Sequence, residues 1–122
     1  MSAAKTFEDL IAWQKAHAFA LDVYRVTKHF PKEELFGLTS QVRRAAVSCS
    51  SNIVEGFNRW SALDKARHYN IAEASREEAR YQLLLAHDLG YADTTQLQEL
   101  ASETKRIISA LAQSVRNSSP QP

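Results

Sequence analysis

Gln41-Val-Arg-Arg-Ala-Ala-Val-Ser-Cys-Ser-Ser-Asn-Ile-Val-Glu-Gly56 is the stretch that decides how this chain is read. At 3.6 residues per turn, Val42, Ala46, Cys49, Ile53, Phe57 and Trp60 fall on one apolar stripe of a helix. Gln41, Arg44, Ser48, Asn52, Glu55 and Arg59 form a purely polar stripe roughly 100° away. Val47 and Val54 lie on a third side. A helix with apolar surface on so much of its circumference is expected to be surrounded by other helices or by other subunits, with its polar stripe partly buried.

The surrounding chain supplies such helices. Of 122 residues only three are glycine and three proline, which leaves almost no turn material for a β protein. The first helix is expected over Phe7–His29, with Thr6 as N-cap, Asp9 three residues on, and Phe30-Pro31 as the stop. The second spans Thr39–Phe57. The third runs from Ser61, with Asp64 in the place of a capping-box acid, to Leu89, where Gly90 suits a left-handed C-cap. The fourth starts at Asp93, with Gln96 three residues later, and runs to Val115 along the seam Leu97, Leu100, Ala101, Thr104, Ile107, Ile108, Leu111 and Val115. Short connections between long helices predict an all-α fold, an up-down-up-down antiparallel four-helix bundle over residues 1–116, with a disordered tail at 117–122.

Counting outward from the Trp60/Ser61 turn puts Arg44 of the second helix level with Glu77 and Glu78 of the third. Glu78 shares a face with Ile71, Ala74, Leu85 and Leu89, so it is expected to point inward. The expectation is an interhelical Arg44–Glu78 ion pair within a structural polar network of Gln41, Arg44, Ser48, Asn52, Glu55, Glu78 and Gln82.

Composition narrows the function classes. The chain is 44% hydrophobic and 24% charged, ordinary for a globular domain, and its net charge of +1 offers no whole-chain attraction to nucleic acid. One cysteine allows no internal disulfide and fits a reducing compartment; with no apolar run of membrane-spanning length and no signal peptide, the expected location is cytoplasmic, with no membrane partner. His17, His29, His68 and His87 share no i,i+4 spacing and no Cys-x-x-Cys occurs, so neither a metal nor a cofactor is expected. Cys49 reads as a small core residue, and Ser48, Ser50 and Ser51 lack the glycine-flanked elbow of a nucleophile. Asn52-x-x-Glu55-Gly56 is better explained by structural hydrogen bonds than by catalysis. No catalytic residues are expected, and the chain does not read as an enzyme.

Arg43, Arg59 and Arg67, with Phe57 and Trp60 nearby for stacking, are the candidates for an RNA or DNA surface. The competing reading is a solvated face balanced by the i,i+3 pairs Glu73–Arg76, Glu77–Arg80 and Glu103–Arg106.

The residue pattern resembles the 23S rRNA-intervening-sequence (S23-type) proteins. It begins with Phe7-Glu-Asp-Leu10-x-x-Trp13-Gln-Lys-Ala16 and continues through Tyr24-x-x-Thr27-x-x-Phe30-Pro31-x-x-Glu34-x-x-Gly37-Leu38. The most specific block is Gln41-x-Arg43-Arg44-Ala45-x-x-Ser48-x-x-Ser51-Asn52-Ile53-x-Glu55-Gly56, followed by Arg59-x-Ser61, Ile71-Ala72, Ser75, Glu78, Gln82-Leu83 and Leu89-Gly90-Tyr91. The resemblance implies a helical bundle that assembles as a homo-pentameric ring, with no enzymatic activity. Some relatives are encoded within intervening sequences of ribosomal RNA genes. Others resemble the accessory variability determinant of diversity-generating retroelements, a basic ring that binds a reverse transcriptase and nucleic acid. The chain departs from the family pattern at Ser50, where proline is usual, at Ala74, where glycine is common, and at Arg76-Glu77, which replaces a more apolar pair. Its near-neutral charge also weakens the transfer of nucleic-acid binding. The expected function is an oligomeric binding or scaffold protein with a nucleic-acid link; the alternative is a homo-oligomer whose partner is another protein.

Overall fold

In the computed structural model, which describes residues 3–118, four helices follow one another: α1 (Ile11–Thr27), α2 (Leu38–Phe57), α3 (Ala62–Asp88) and α4 (Thr95–Ser118). Each packs on its sequence neighbour and α4 closes against α1, which gives the expected four-helix bundle.

The helix ends follow local chemistry. Asp9 accepts hydrogen bonds from the Lys5 and Thr6 backbone N–H groups at 2.8 and 3.1 Å, but this cap serves only a 3₁₀ turn at Phe7–Asp9. Leu10 is extended, so α1 begins at Ile11 rather than Phe7. Ser61 Oγ accepts from the Asp64 N–H at 3.0 Å and starts α3. At the other end Gly90 takes φ +77°, and Tyr91 N–H reaches back to the Ala86 carbonyl at 2.9 Å, satisfying a terminal acceptor. Helix α4 starts two residues later than expected and continues through Ser118. Residues 117 and 118 are therefore helical, and 119–122 of the expected tail lie outside the described residues.

Two apolar clusters fill the bundle. One gathers Phe19, Val23, Phe30, Val42, Ala46, Leu83 and Leu97, and the other Ala16, Cys49, Ile53, Tyr69, Ala72 and Ile108. Val42, Ala46, Cys49 and Ile53, the heart of the α2 stripe, are all fully buried. Trp60 is not part of it: α2 ends at Phe57, helical periodicity lapses there, and the indole is 99% exposed.

The most extensive helix pairing is α2 with α3. Small residues permit it. A Cβ on Gly56 would lie 2.5 Å from Tyr69 Cε1 and 3.2 Å from His68 Cβ, so only glycine lets the two backbones approach this closely.

Candidate functional site: the polar crevice between α2 and α3

The register expected from the sequence is the register found. Ser48 Oγ and Ser75 Oγ are 2.8 Å apart, and Asn52 Oδ1 meets His68 Nδ1 at 3.1 Å, which puts Arg44 level with Glu78. Asn52 Nδ2 also donates to the Ser48 carbonyl at 2.8 Å, so the Asn52 amide is fixed on both sides. Gln41, Arg44, Ala45, Ser48, Ser75 and Glu78 line an open crevice of about 320 Å³. Ser75 and His68 escaped the sequence reading, although the count that paired Arg44 with Glu78 comes within one or two residues of pairing them with Ser48 and Asn52.

The expected ion pair does not form. Arg44 and Glu78 are both exposed and form no ion pair within 4.0 Å. An exposed pair gains only about 0–1 kcal/mol and must immobilise two long side chains, so hydration competes successfully. Glu78 instead accepts from Gln82 Nε2 at 3.1 Å, while Gln82 Oε1 is buried without a partner among the described residues. Gln41 lines the crevice, and Glu55 lies outside it, paired with Arg59 at 3.0 Å.

The face of α3 that carries Glu78 points outward, contrary to expectation. Ile71, Tyr81 and Leu89 are 47%, 55% and 52% exposed. What turns inward is Arg76, at 1% exposure, which the i,i+3 pattern had assigned to a solvated face. Its Nε and Nη2 donate to the two Glu73 carboxylate oxygens at 2.8 Å, Nη2 also donates to Glu77 at 2.6 Å, and Nη1 reaches the Ala101 carbonyl of α4 at 3.2 Å. Two carboxylates and a carbonyl replace the lost hydration, which is the condition for burying a guanidinium. Glu77 also bonds Arg80 at 2.6 Å. That bond, followed by the one to Arg76, holds the Glu77 carboxyl down at about 2.

Arg43, Arg59 and Arg67 are not brought together. Arg43 Nε donates to Thr27 Oγ1 at 2.8 Å and its guanidinium covers the Tyr24 ring at 4.7 Å, which pins it to α1. It stands roughly 20 Å along α2 from the Phe57 end. Arg59 and Arg67 flank the α2–α3 turn, each next to an acid: Glu55 at 3.0 Å and Asp64 at 3.7 Å. Lys65 donates to the Phe57 carbonyl at 2.7 Å, capping α2 from the same turn. Burial pushes the Cys49 thiol up to about 12, so it stays protonated near neutrality. Among the described residues no group of three His, Cys, Asp or Glu side chains converges, and no helix is long and apolar enough to cross a membrane.

A crevice built of hydroxyls and amides on two tightly paired helices is a structural seam in its depth and a charged surface at its mouth. The sequence comparison agrees with this architecture: the profile of 23S rRNA-intervening sequence proteins matches residues 8–113. The chain belongs to that family. A solved structure is similar in fold: a protein of unknown function from the S23 ribosomal protein family of Bacteroides thetaiotaomicron VPI-5482. It superposes with a TM-score of 0.76 at 22% identity, covering 84% of this chain and 96% of that one. No curated protein matches the chain.

Proposed function

We propose that this family member is a non-enzymatic scaffold that works as an assembly of its own copies in the cytoplasm. The observation that carries this reading is the apolar surface left on the α2–α3 side: Val47, Leu63, Ile71 and Tyr81 are 40%, 65%, 47% and 55% exposed, and they lie on the two most tightly paired helices. Large apolar side chains left exposed on one side of a bundle favour an interaction site there. Around the α2–α3 seam the side chains with nucleophilic or acid–base potential have structural surroundings: Cys49 is buried, and Ser48 and His68 are hydrogen-bonded across the seam.

A second reading rests on Trp60. At 99% exposure beside Arg59, its indole is free to stack on a base, and exposed pairs such as Arg59–Glu55 give way readily to a phosphate. That reading makes the scaffold an RNA or DNA binder.

Sedimentation equilibrium, alone and with a mixed-sequence single-stranded RNA at low and moderate salt, tests both. The scaffold reading expects a mass that is a multiple of 13.7 kDa, and five copies is the count that the resemblance implies. The nucleic-acid reading expects a further gain in mass with RNA that fades as salt rises. A mass of one copy at every concentration contradicts the first, and indifference to RNA contradicts the second.

A further inference from the structure

The mouth of the α2–α3 crevice holds two opposite charges that do not meet. Arg44 rises from α2 and Glu78 from α3, and both line the same space of about 320 Å³. Arg44 has no hydrogen bond or ion pair among the described residues, and the Glu78 carboxylate has only the neutral Gln82 amide at 3.1 Å. Gln82 is 5% exposed and turns its N–H toward Glu78 while its own amide oxygen stays buried without a partner. An unpaired buried acceptor is costly, so this arrangement marks Glu78 as a carboxylate held in place at the edge of the crevice.

The floor offers a donor as well. Ser48 Oγ and Ser75 Oγ share one hydrogen bond at 2.8 Å, and Ser48 Oγ also accepts from Asn52 Nδ2 at 3.2 Å. Two hydroxyls carry two protons, and the shared bond uses one of them. The other has no acceptor among the described residues. The crevice therefore presents a guanidinium, a hydroxyl donor and a carboxylate, each with hydrogen-bonding capacity to spare. That set complements a molecule bearing a carboxylate and an ammonium on one carbon. The volume lies at the small end of ligand cavities, about 300–1,000 Å³, which suits a single amino acid rather than a nucleotide. A peptide fits the set poorly, because its terminal charges stand far apart.

We infer that the mouth of the crevice binds a free α-amino acid. Arg44 and the spare hydroxyl proton of the Ser48–Ser75 pair hold its carboxylate, and Glu78 holds its ammonium, both through charge-assisted hydrogen bonds. Gln82 is a positioning residue that steadies Glu78. One copy of the chain supplies every group, so the inference stands or falls apart from self-assembly.

Equilibrium dialysis against an isotope-labelled mixture of free L-amino acids tests it, followed by calorimetry with the amino acid retained most strongly. The N-acetyl derivative of that amino acid lacks the ammonium and its carboxamide lacks the carboxylate; each should bind the parent chain about tenfold more weakly. Arg44→Gln should lose about tenfold in affinity and should no longer distinguish the free acid from the carboxamide. Glu78→Gln should lose as much and should no longer distinguish the free amine from the N-acetyl form. Circular dichroism, expected to match the parent, separates lost binding from lost folding, and the derivative series on the parent chain decides the matter even where a variant misfolds. If no amino acid is retained, if the derivatives bind as well as the free form, or if both folded variants bind like the parent, the site is wrong while the scaffold reading stands.

Discussion

The inner and outer faces of α3 invert the usual division of labour in a bundle helix. The inner face buries a charge: Arg76 is 1% exposed and is held by Glu73, Glu77 and the Ala101 carbonyl. The outer face exposes apolar side chains, with Leu63 at 65%, Ile71 at 47% and Tyr81 at 55%. A charge is kept in a core only where fixed partners replace its water, and apolar groups are left outside at a cost unless something covers them. The inner face is therefore a device of the monomer, and the outer face is the one that the proposed assembly would cover.

Breaking the inner face should have the largest effect. Arg76→Ala leaves Glu73 and Glu77 without their counterion and removes the link to α4, and should cost about 3–5 kcal/mol in urea unfolding. Arg76→Met, which fills the space without the charge, should cost less with Glu73→Gln and Glu77→Gln alongside than without them. Equal losses would show that packing, not charge, carries the effect. Next comes the close approach of α2 to α3. Gly56→Ala drives a methyl into the Tyr69 ring and should cost about 1–3 kcal/mol. Loss of the Asn52 amide, which leaves His68 and Ser48 short of partners, should cost about 1 kcal/mol in Asn52→Ala.

Acid sharpens the comparison further. The folded-state pKa of Glu77 is lowered to about 2 from 4.5, first by Arg80 and then by Arg76, so its contribution is complete above pH 4.5 and is lost as the pH falls toward 2. Urea midpoints measured down this range should fall more steeply for the parent than for Glu77→Gln. The smallest effect on the monomer belongs to the outer face. Tyr81→Ser should change monomer stability by under about 0.5 kcal/mol while weakening association.

Much of this fold was legible in the sequence because its signals are local. Ser61 with Asp64, Gly90, and the α2 stripe Val42, Ala46, Cys49 and Ile53 each needed only short-range spacing. The α2–α3 register needed only a turn to count from. The orientation of α3 was not legible, because apolar residues occur on both of its faces and periodicity cannot say which turns inward. Arg76 with Glu73 has the spacing of an ordinary surface pair. The partner that marks it as buried, the Ala101 carbonyl, lies 25 residues away on α4. Trp60 kept the phase of the α2 stripe but lies past the end of the helix, where phase no longer fixes direction. Of the candidate site, Ser48 and Asn52 lie in the seam, whereas Arg43 was assigned to an open surface because its partners Thr27 and Tyr24 belong to another helix.

The most direct measurement is the reactivity of thiols placed along the outer face of α3. The native Cys49 is fully buried, so thiols introduced on the surface report alone. Ile71→Cys and Tyr81→Cys proteins should react with a soluble maleimide more slowly as protein concentration rises, because the proposed assembly covers these positions. Rates that stay the same at every concentration would contradict assembly through this face.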